Sequence, residues 1–293
     1  MGNRREDDQS MKNLFLVFVL NLLFSIVELL GGIITNSVAI ISDALHDFGD
    51  SFSIGISFFL EKVSKKGKDE LFTYGYRRFS LLGAFINASI LIGGSIYVLY
   101  MAGMRLFEPE NVNAKGMTLF AIFGIAVNAV AAIKIHGSKK LNERVVFLHL
   151  LEDVLGWIAV LIVGIVMIFI NVPFLDPLLS IVISVFVMFN AIRNFYSIMV
   201  LFLQGKPPDI KIDELERILL SIDGVKEVHD LHLWSLDGVN HILSAHVVVG
   251  SGTTCETVKD VKASARAMLR KAGISHATIE VEFEDEECKS FCR

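Results

Sequence analysis

The feature that most constrains this chain is a series of six long apolar runs between residues 13 and 203. A helix needs about 20 mostly apolar residues to cross the hydrocarbon core of a bilayer, and each run reaches about that length. The predicted spans are 13–34, 38–60, 79–104, 116–134, 145–170 and 174–203. The sequence therefore predicts an α-helical polytopic membrane protein with six transmembrane helices, in contact with a lipid bilayer.

Basic residues divide the segments between these spans into two groups. Thirteen Lys and Arg lie in the N-terminal tail and in the loops 61–78 and 134–144, against two, Arg105 and Lys115, in the other connections. Because basic residues accumulate on the cytosolic side, both termini are expected in the cytosol. Residues 1–12 are polar and lead directly into a long span, so no cleaved signal peptide is expected. The plasma or inner membrane of the cell is the expected location.

Residues 208–293 are rich in charge and differ from the apolar region before them. Helical spacing, then two alternating segments around Asp237-Gly238, then a helix ending near Gly273 and a last strand predict the order αββαβ. This order is typical of a small sheet with helices on one face. The predicted domains are a cytosolic tail (1–12), a transmembrane domain (13–207) and a cytosolic domain (208–293). The net charge of −5 argues against nucleic acid as a partner.

Two spans contain a histidine followed four residues later by an aspartate. The pairs are His46 with Asp50 and His149 with Asp153. Residues four apart share a helix face, so two nitrogens and two oxygens can converge on one ion, a tetrahedral set suited to Zn²⁺. The alternative is that each pair is a structural hydrogen bond between buried side chains, but the repetition of the spacing in two charged spans favours a metal site.

Several segments resemble the cation diffusion facilitator family, and within it the zinc-transporting branch. They are SDALHDFGD, TYGYRRFSLLGAFIN, FLHLLEDVLG, DPLLS and VHDLHLWSL…SAHVVV, and they follow one another in the family's order over almost the whole chain. The resemblance implies a homodimeric metal/proton antiporter with six transmembrane helices and a cytosolic metallochaperone-like, ferredoxin-like αββαβ domain. It also implies that His46, Asp50, His149 and Asp153 form the transport site.

Other polar residues in the spans are assigned different roles. Asp43 lies one turn from His46 and is expected on an entry path for the ion. Asp47 is expected to contact another helix or to face water, because it points to a different side of the helix from His46. Glu28 in the first span is expected to form a hydrogen bond between helices rather than to bind metal.

The C-terminal domain offers a second set of metal ligands. Strict alternation along a strand would place His229 and His232 on opposite faces, with His246, Glu280 and Glu282 available to join His229. The family resemblance implies a cytosolic zinc site at His229, His246 and Glu282. Cys288 and Cys292 are a further possible pair of metal ligands. The chain has only three cysteines, all in this part, so no disulfide framework is expected.

The sequence supports transport over two other functions. No GxxxxGK[ST] motif is present, so protons rather than ATP are the expected driving force. An intramembrane metal hydrolase would keep an open coordination position, usually with an HExxH motif, and the sequence has none. A metal-sensing receptor without transport stays open. Zn²⁺ is the expected substrate, exchanged for protons, and the ligand set also accommodates Cd²⁺ and Co²⁺.

Overall fold

The structure is a computed structural model that describes residues 2–135, 141–170 and 172–286. Its apolar region forms six long helices, one for each predicted span. They are α1 (Gly2–Thr35), α2 (Val38–Ser64), α3 (Phe79–Phe107), α4 (Ala114–Ile135), α5 (Leu141–Phe169) and α6 (Leu175–Phe202). The helix α1 begins well before the predicted first span, and α2 continues one turn beyond the predicted second one.

Four of the six helices contain described segments that are long and apolar enough to cross a membrane. These segments are Phe79–Phe107, Ala114–Ile133, Leu150–Phe169 and Leu175–Phe202. In α1, the apolar segment Val19–Thr35 is somewhat shorter. The helix α2 contains Asp43, Asp47 and Asp50 among its apolar residues. Acidic residues inside a membrane span are costly and usually mark a functional site.

The chain forms two compact units. The first contains residues 1–58 and 86–195, and the second contains residues 59–85 and 196–293. The predicted domain boundaries at residues 12 and 207 remain predictions.

Glycines allow close contacts between helices in the first unit. A Cβ atom on Gly124 of α4 would lie 2.4 Å from the Trp157 ring of α5, and one on Gly31 of α1 would lie 2.4 Å from the Phe120 ring of α4. Trp157 is fully buried beside Phe120, with ring centroids 5.8 Å apart. Small residues of this kind let helix backbones approach closely in a membrane, where burial of apolar surface adds little.

The N-terminus of α2 is fixed by a carboxylate from α6. Asp176, which is fully buried, accepts hydrogen bonds from the Ser37 hydroxyl at 2.5 Å and from the backbone N–H of Val38 at 2.7 Å and Ala39 at 3.3 Å. The first N–H groups of a helix have no partner within the helix, and a negative charge suits this end. Asp176 thus ties the start of α2 to the start of α6.

The second unit contains the predicted αββαβ domain. It consists of α7 (Ile212–Leu220), β1 (Val225–Ser235), β2 (His241–Val249), α8 (Cys255–Lys271) and β3 (Ile274–Phe283). The strands are ordered β1-β2-β3, with an antiparallel first pair and a parallel second pair. One apolar core joins both helices to the sheet, so the helices cover the same face, as predicted. The central residues of this core are Leu215, Leu219, Leu243, Val247, Val261 and Leu269.

Two turns in the second unit are organised by aspartate side chains. Between β1 and β2, Asp237 accepts hydrogen bonds from the N–H groups of Val239 and Asn240, and Gly238 adopts φ +89°. In the loop after α2, Asp69 accepts hydrogen bonds from the Phe72 N–H at 2.7 Å and from the Tyr76 hydroxyl at 2.6 Å. Such side-chain bonds to nearby groups replace the backbone ladder that a loop lacks.

Candidate metal centres

The first centre lies on α2 and α5. The His46 Nε2 atom lies 3.8 Å from the Asp50 Oδ2 atom, so the two side chains share a helix face as the spacing predicts. Asp153 of α5 is buried and lies close to His46. His149 lies in α5 one turn before Asp153, and its side chain is outside the described part of the structure. Of the four predicted ligands, the structure therefore brings three described side chains to one region.

Asp47 lies closer to His46 than its expected place on a different side of α2 would put it. One ligand atom from each of His46, Asp47 and Asp153 lies within 4.8 Å of the other two. Asp47 is only 1% exposed, which agrees with the expected contact to another helix and excludes the alternative that it faces water. The sequence contains a signal for the position of Asp47 beside metal-binding side chains. A carboxylate next to a histidine in an apolar run needs a partner, because burial of an unpaired charge in a membrane is costly.

Two more carboxylates are buried around this cluster. Glu28 of α1 is 0% exposed and lies within interaction distance of Asp47 and of the Trp157 indole. Asp43 is 7% exposed, and one of its oxygens lies 3.7 Å from the position of a Cβ atom on Gly156 of α5. The region between α1, α2 and α5 is thus rich in carboxyl groups, whose oxygens can bind cations.

A small cavity borders His46 on another side. Its volume is about 20 Å³, and its polar lining comes from Ser42, Ser95 and Ser184 together with His46. The Ser42 and Ser184 hydroxyls lie 3.0 Å apart. A polar cavity of this size is large enough for one water molecule, with His46 among its possible hydrogen-bond partners.

The second centre lies on the sheet of the C-terminal domain. His229 Nε2 lies 3.0 Å from Glu282 Oε2, and His246 Nδ1 lies 2.6 Å from Glu282 Oε1. Each residue comes from a different strand, and His229 is directly opposite His246 in the register. One ligand atom from each lies within 4.8 Å of the others. The structure therefore brings together the three side chains that the sequence predicted for this site.

A bulge in β1 changes the surroundings of this second centre. From His229 to His232 the strand advances three residues while its partner advances two, and Asp230 within it adopts φ +49°. The extra residue reverses the alternation, so the prediction that His229 and His232 lie on opposite faces is wrong. On the outer face, the Asp230 carboxylate lies 2.8 Å from His232 Nε2 and 3.5 Å from His246 Nε2.

Three further residues, Glu280, Cys288 and Cys292, were predicted as possible metal ligands. Glu280 Oε2 lies 3.5 Å from His246 Nε2, at the edge of the second centre. Cys288 and Cys292 lie outside the described residues. Cys255 is exposed at the start of α8 and belongs to neither centre.

The chain is similar to known proteins over nearly its whole length. Residues 14–203 match the cation efflux transmembrane domain, and residues 207–284 match the cation efflux protein cytoplasmic domain. A Bacillus subtilis protein named as a cadmium, cobalt and zinc/H(+)-K(+) antiporter is 32% identical, with 97% of this chain and 93% of that protein covered. The zinc transporter ZitB of Yersinia pseudotuberculosis is 30% identical, with 94% and 89% covered.

A solved structure also matches the C-terminal part. It is the metal-bound C-terminal domain of the CzcD transporter from Cuprividus metallidurans, at 35% identity, with 25% of this chain and 99% of that chain covered and a TM-score of 0.23.

Proposed function

Because the chain belongs to the cation efflux family, we propose that it moves divalent metal ions, chiefly Zn²⁺, out of the cytosol in exchange for protons. It is a multi-pass membrane protein and a transporter rather than an enzyme. A relative named as a cadmium, cobalt and zinc/H(+)-K(+) antiporter supports this substrate class and this coupling, and a relative named as a zinc transporter supports the substrate.

The observation that carries the proposal is the convergence of His46 and Asp153 from two helices inside the apolar region. With Asp50 beside His46, and with His149 one turn before Asp153, the ligand set consists of two imidazoles and two carboxylates. Zn²⁺ prefers four such ligands in a tetrahedral arrangement, whereas Mg²⁺ and Ca²⁺ prefer oxygen alone. Cd²⁺ and Co²⁺ are expected as secondary substrates, since they also accept nitrogen and oxygen ligands.

The same ligands supply the coupling to protons. An imidazole binds a metal ion only when it is unprotonated, so protons and zinc compete for His46 and His149. A site that opens alternately to the two faces of the membrane then takes zinc from the cytosol and returns protons to it. The proton gradient drives this exchange without ATP.

The proposal includes a location and an assembly. We expect the protein in the plasma or inner membrane with both termini in the cytosol, as the distribution of Lys and Arg predicts. We expect a homodimer, with a regulatory zinc ion at His229, His246 and Glu282 of each cytosolic domain. Zinc there would hold three strands in one arrangement.

Flux measurements on the full chain test the proposal. Purified protein is reconstituted into liposomes that contain a zinc-sensitive dye, and an outward proton gradient is imposed. Zinc should enter the wild-type liposomes, and the variants His46→Ala and Asp153→Ala should fall to the rate of protein-free liposomes. His276→Ala is the matched control, because His276 is exposed and belongs to neither centre.

Two results would count against the proposal. Wild-type liposomes that accumulate no more zinc than protein-free ones would refute zinc transport. Wild-type flux in both ligand variants would refute the assignment of the transport site.

A further inference from the structure

The first centre contains more carboxyl groups than the two among its four proposed ligands. Besides Asp50 and Asp153, the carboxyl groups of Glu28, Asp43 and Asp47 are buried in the same region, with exposures of 0%, 7% and 1%. Carboxylates buried away from water need a cation, a proton or a donor group to be stable. The transport site alone leaves Glu28 and Asp47 unexplained.

Glu28 and Asp47 are the least satisfied of these groups. All four of their carboxylate oxygens are buried, and none makes a hydrogen bond of standard geometry with a described residue. Glu28 on α1 and Asp47 on α2 lie within interaction distance of each other, and the Trp157 indole lies next to Glu28. An ion bound next to Asp47 would satisfy these oxygens, and Asp47 already lies among metal-binding side chains.

The distances suit a divalent ion next to His46. In a tetrahedral zinc site with bonds of about 2.0–2.2 Å, ligand atoms lie about 3.4 Å apart. The ligand atoms of His46, Asp47 and Asp153 lie within 4.8 Å of one another, so a modest closure brings them to this spacing. Asp50 and Glu28 both lie outside this close group: Asp50 lies one turn further along α2, and Glu28 lies behind Asp47, within interaction distance of it.

We propose that Glu28 and Asp47, together with His46 and Asp153, form an inner ion position that overlaps the transport site. The proposal rests on the function proposed above, since its occupant is the transported divalent ion. The ion keeps His46 and Asp153 as ligands and exchanges Asp50 and His149 for Asp47 and Glu28. Asp47 and Asp50 are three residues apart, or about 4.5 Å along the helix axis, so the exchange is a single short step.

Zinc binding by the full chain tests this proposal. In a His229→Ala/His246→Ala background, which removes the cytosolic centre, zinc affinity is measured by competition with a chelating dye and zinc coordination by X-ray absorption. Asp47→Asn and Glu28→Gln should each weaken zinc binding at least tenfold and alter the zinc absorption spectrum. Ser25→Ala is the control and should change neither the zinc affinity nor the absorption spectrum. Ser25 is a buried polar residue on α1, one turn before Glu28, and its hydroxyl donates to the Leu22 carbonyl of the same helix.

The stability of the zinc-free protein separates ligation from a structural role. Replacing an unsatisfied buried carboxylate by an amide removes a charge, so both variants should unfold at or above the parent temperature without zinc. A purely structural role would lower that temperature. Asp47→Glu and Glu28→Asp keep the carboxylate and should bind zinc more tightly than the corresponding amide variants.

The outcomes are distinct. If the parent neither binds nor transports zinc, the proposed function itself fails. If the parent binds zinc and either amide variant binds it with parental affinity and an unchanged spectrum, the inner position is refuted. Equal losses in the amide and the carboxylate-conserving variants, with lower zinc-free stability in all of them, would also refute it.

Discussion

At the scale of single residues, Asp69 and Tyr76 form a pair outside the membrane spans whose titration can be followed. The Tyr76 hydroxyl, followed by the Phe72 N–H, donates to the Asp69 carboxylate and lowers the pKa of Asp69. The same hydrogen bond raises the pKa of Tyr76, since the neutral phenol is the donor. The stability from Asp69 is therefore lost as pH falls through its lowered pKa, and that from Tyr76 as pH rises through its raised pKa. Both contributions are present in the wide range between.

This pair gives a prediction for the tyrosine titration. Asp69→Asn removes the charged acceptor, so the pKa of Tyr76 should fall toward the usual value of about 10. Ultraviolet absorbance of the five tyrosines between neutral and strongly alkaline pH should show one phenol ionising earlier than in the wild type. Glu70→Gln, an exposed neighbour without this contact, is the control. Identical titration curves for wild type and Asp69→Asn would contradict the assignment.

The metal ligands show what a sequence reveals about single residues. Spacing predicted the shared face of His46 and Asp50, because four residues make about one helical turn. It could not predict the burial of Asp47, which depends on the side chains that a neighbouring helix places opposite it. Glu28 supplies that neighbour, and its interactions with Asp47 of α2 and Trp157 of α5 are the kind of contact between helices that was expected of it.

At the scale of helices and strands, the α4–α5 contact depends on Gly124. A Cβ atom there would lie 2.4 Å from the Trp157 ring, far inside van der Waals contact, and Trp157 is held by the buried core around it. Since the ring cannot move away freely, any side chain at position 124 must push the two helices apart. The close approach of α4 and α5 at this point therefore requires glycine, which has no Cβ atom, at position 124.

Gly124→Ala should therefore destabilise the protein by about 1–3 kcal/mol, the usual cost of overpacking a core. Gly93→Ala in α3 is the matched control, because no described residue, apart from its chain neighbours and its own helix backbone, has an atom within 4 Å of its Cβ position. Alanine is the better helix former by about 1 kcal/mol, so this control should be neutral or stabilising. Thermal unfolding of both variants in detergent measures the difference. A melting temperature for Gly124→Ala at or above that of Gly93→Ala would contradict the prediction.

The strands show where an alternating pattern misleads. The order αββαβ followed from the sequence because each segment has its own period of apolar residues. The bulge in β1 was missed, although Val228 and Leu231 are three residues apart and already break a period of two. The signal for the bulge was therefore present in the sequence, and the assumption of regular alternation concealed it.

At the scale of the whole molecule, the two centres can be separated by experiment. The cytosolic centre joins β1, β2 and β3 through His229, His246 and Glu282, so zinc bound there should stabilise the folded domain. A ligand at 100 times its dissociation constant adds about 2.7 kcal/mol to folding. In the proposed function, transport depends on the centre at His46 and Asp153 and only in part on the cytosolic one.

The full chain carrying His46→Ala should gain thermal stability when zinc is added, because the cytosolic centre is intact. Adding His229→Ala and His246→Ala should remove that gain. In an otherwise wild-type chain, the same double change should reduce zinc flux without abolishing it. His276→Ala again serves as the control. A full zinc-dependent gain in the triple variant would place the regulatory zinc elsewhere in the chain.

The hydrogen bonds to Asp176 fix the N-terminal end of α2, so any tilt of this helix turns it around that end. With about 1.5 Å of rise per residue, His46 lies about 12 Å from the fixed end at Val38. A rigid tilt of α2 by about 10° around Val38 would move His46 by about 2 Å. Metal–ligand distances tolerate changes of only about 0.2 Å, so a tilt of this size would break the proposed coordination by His46.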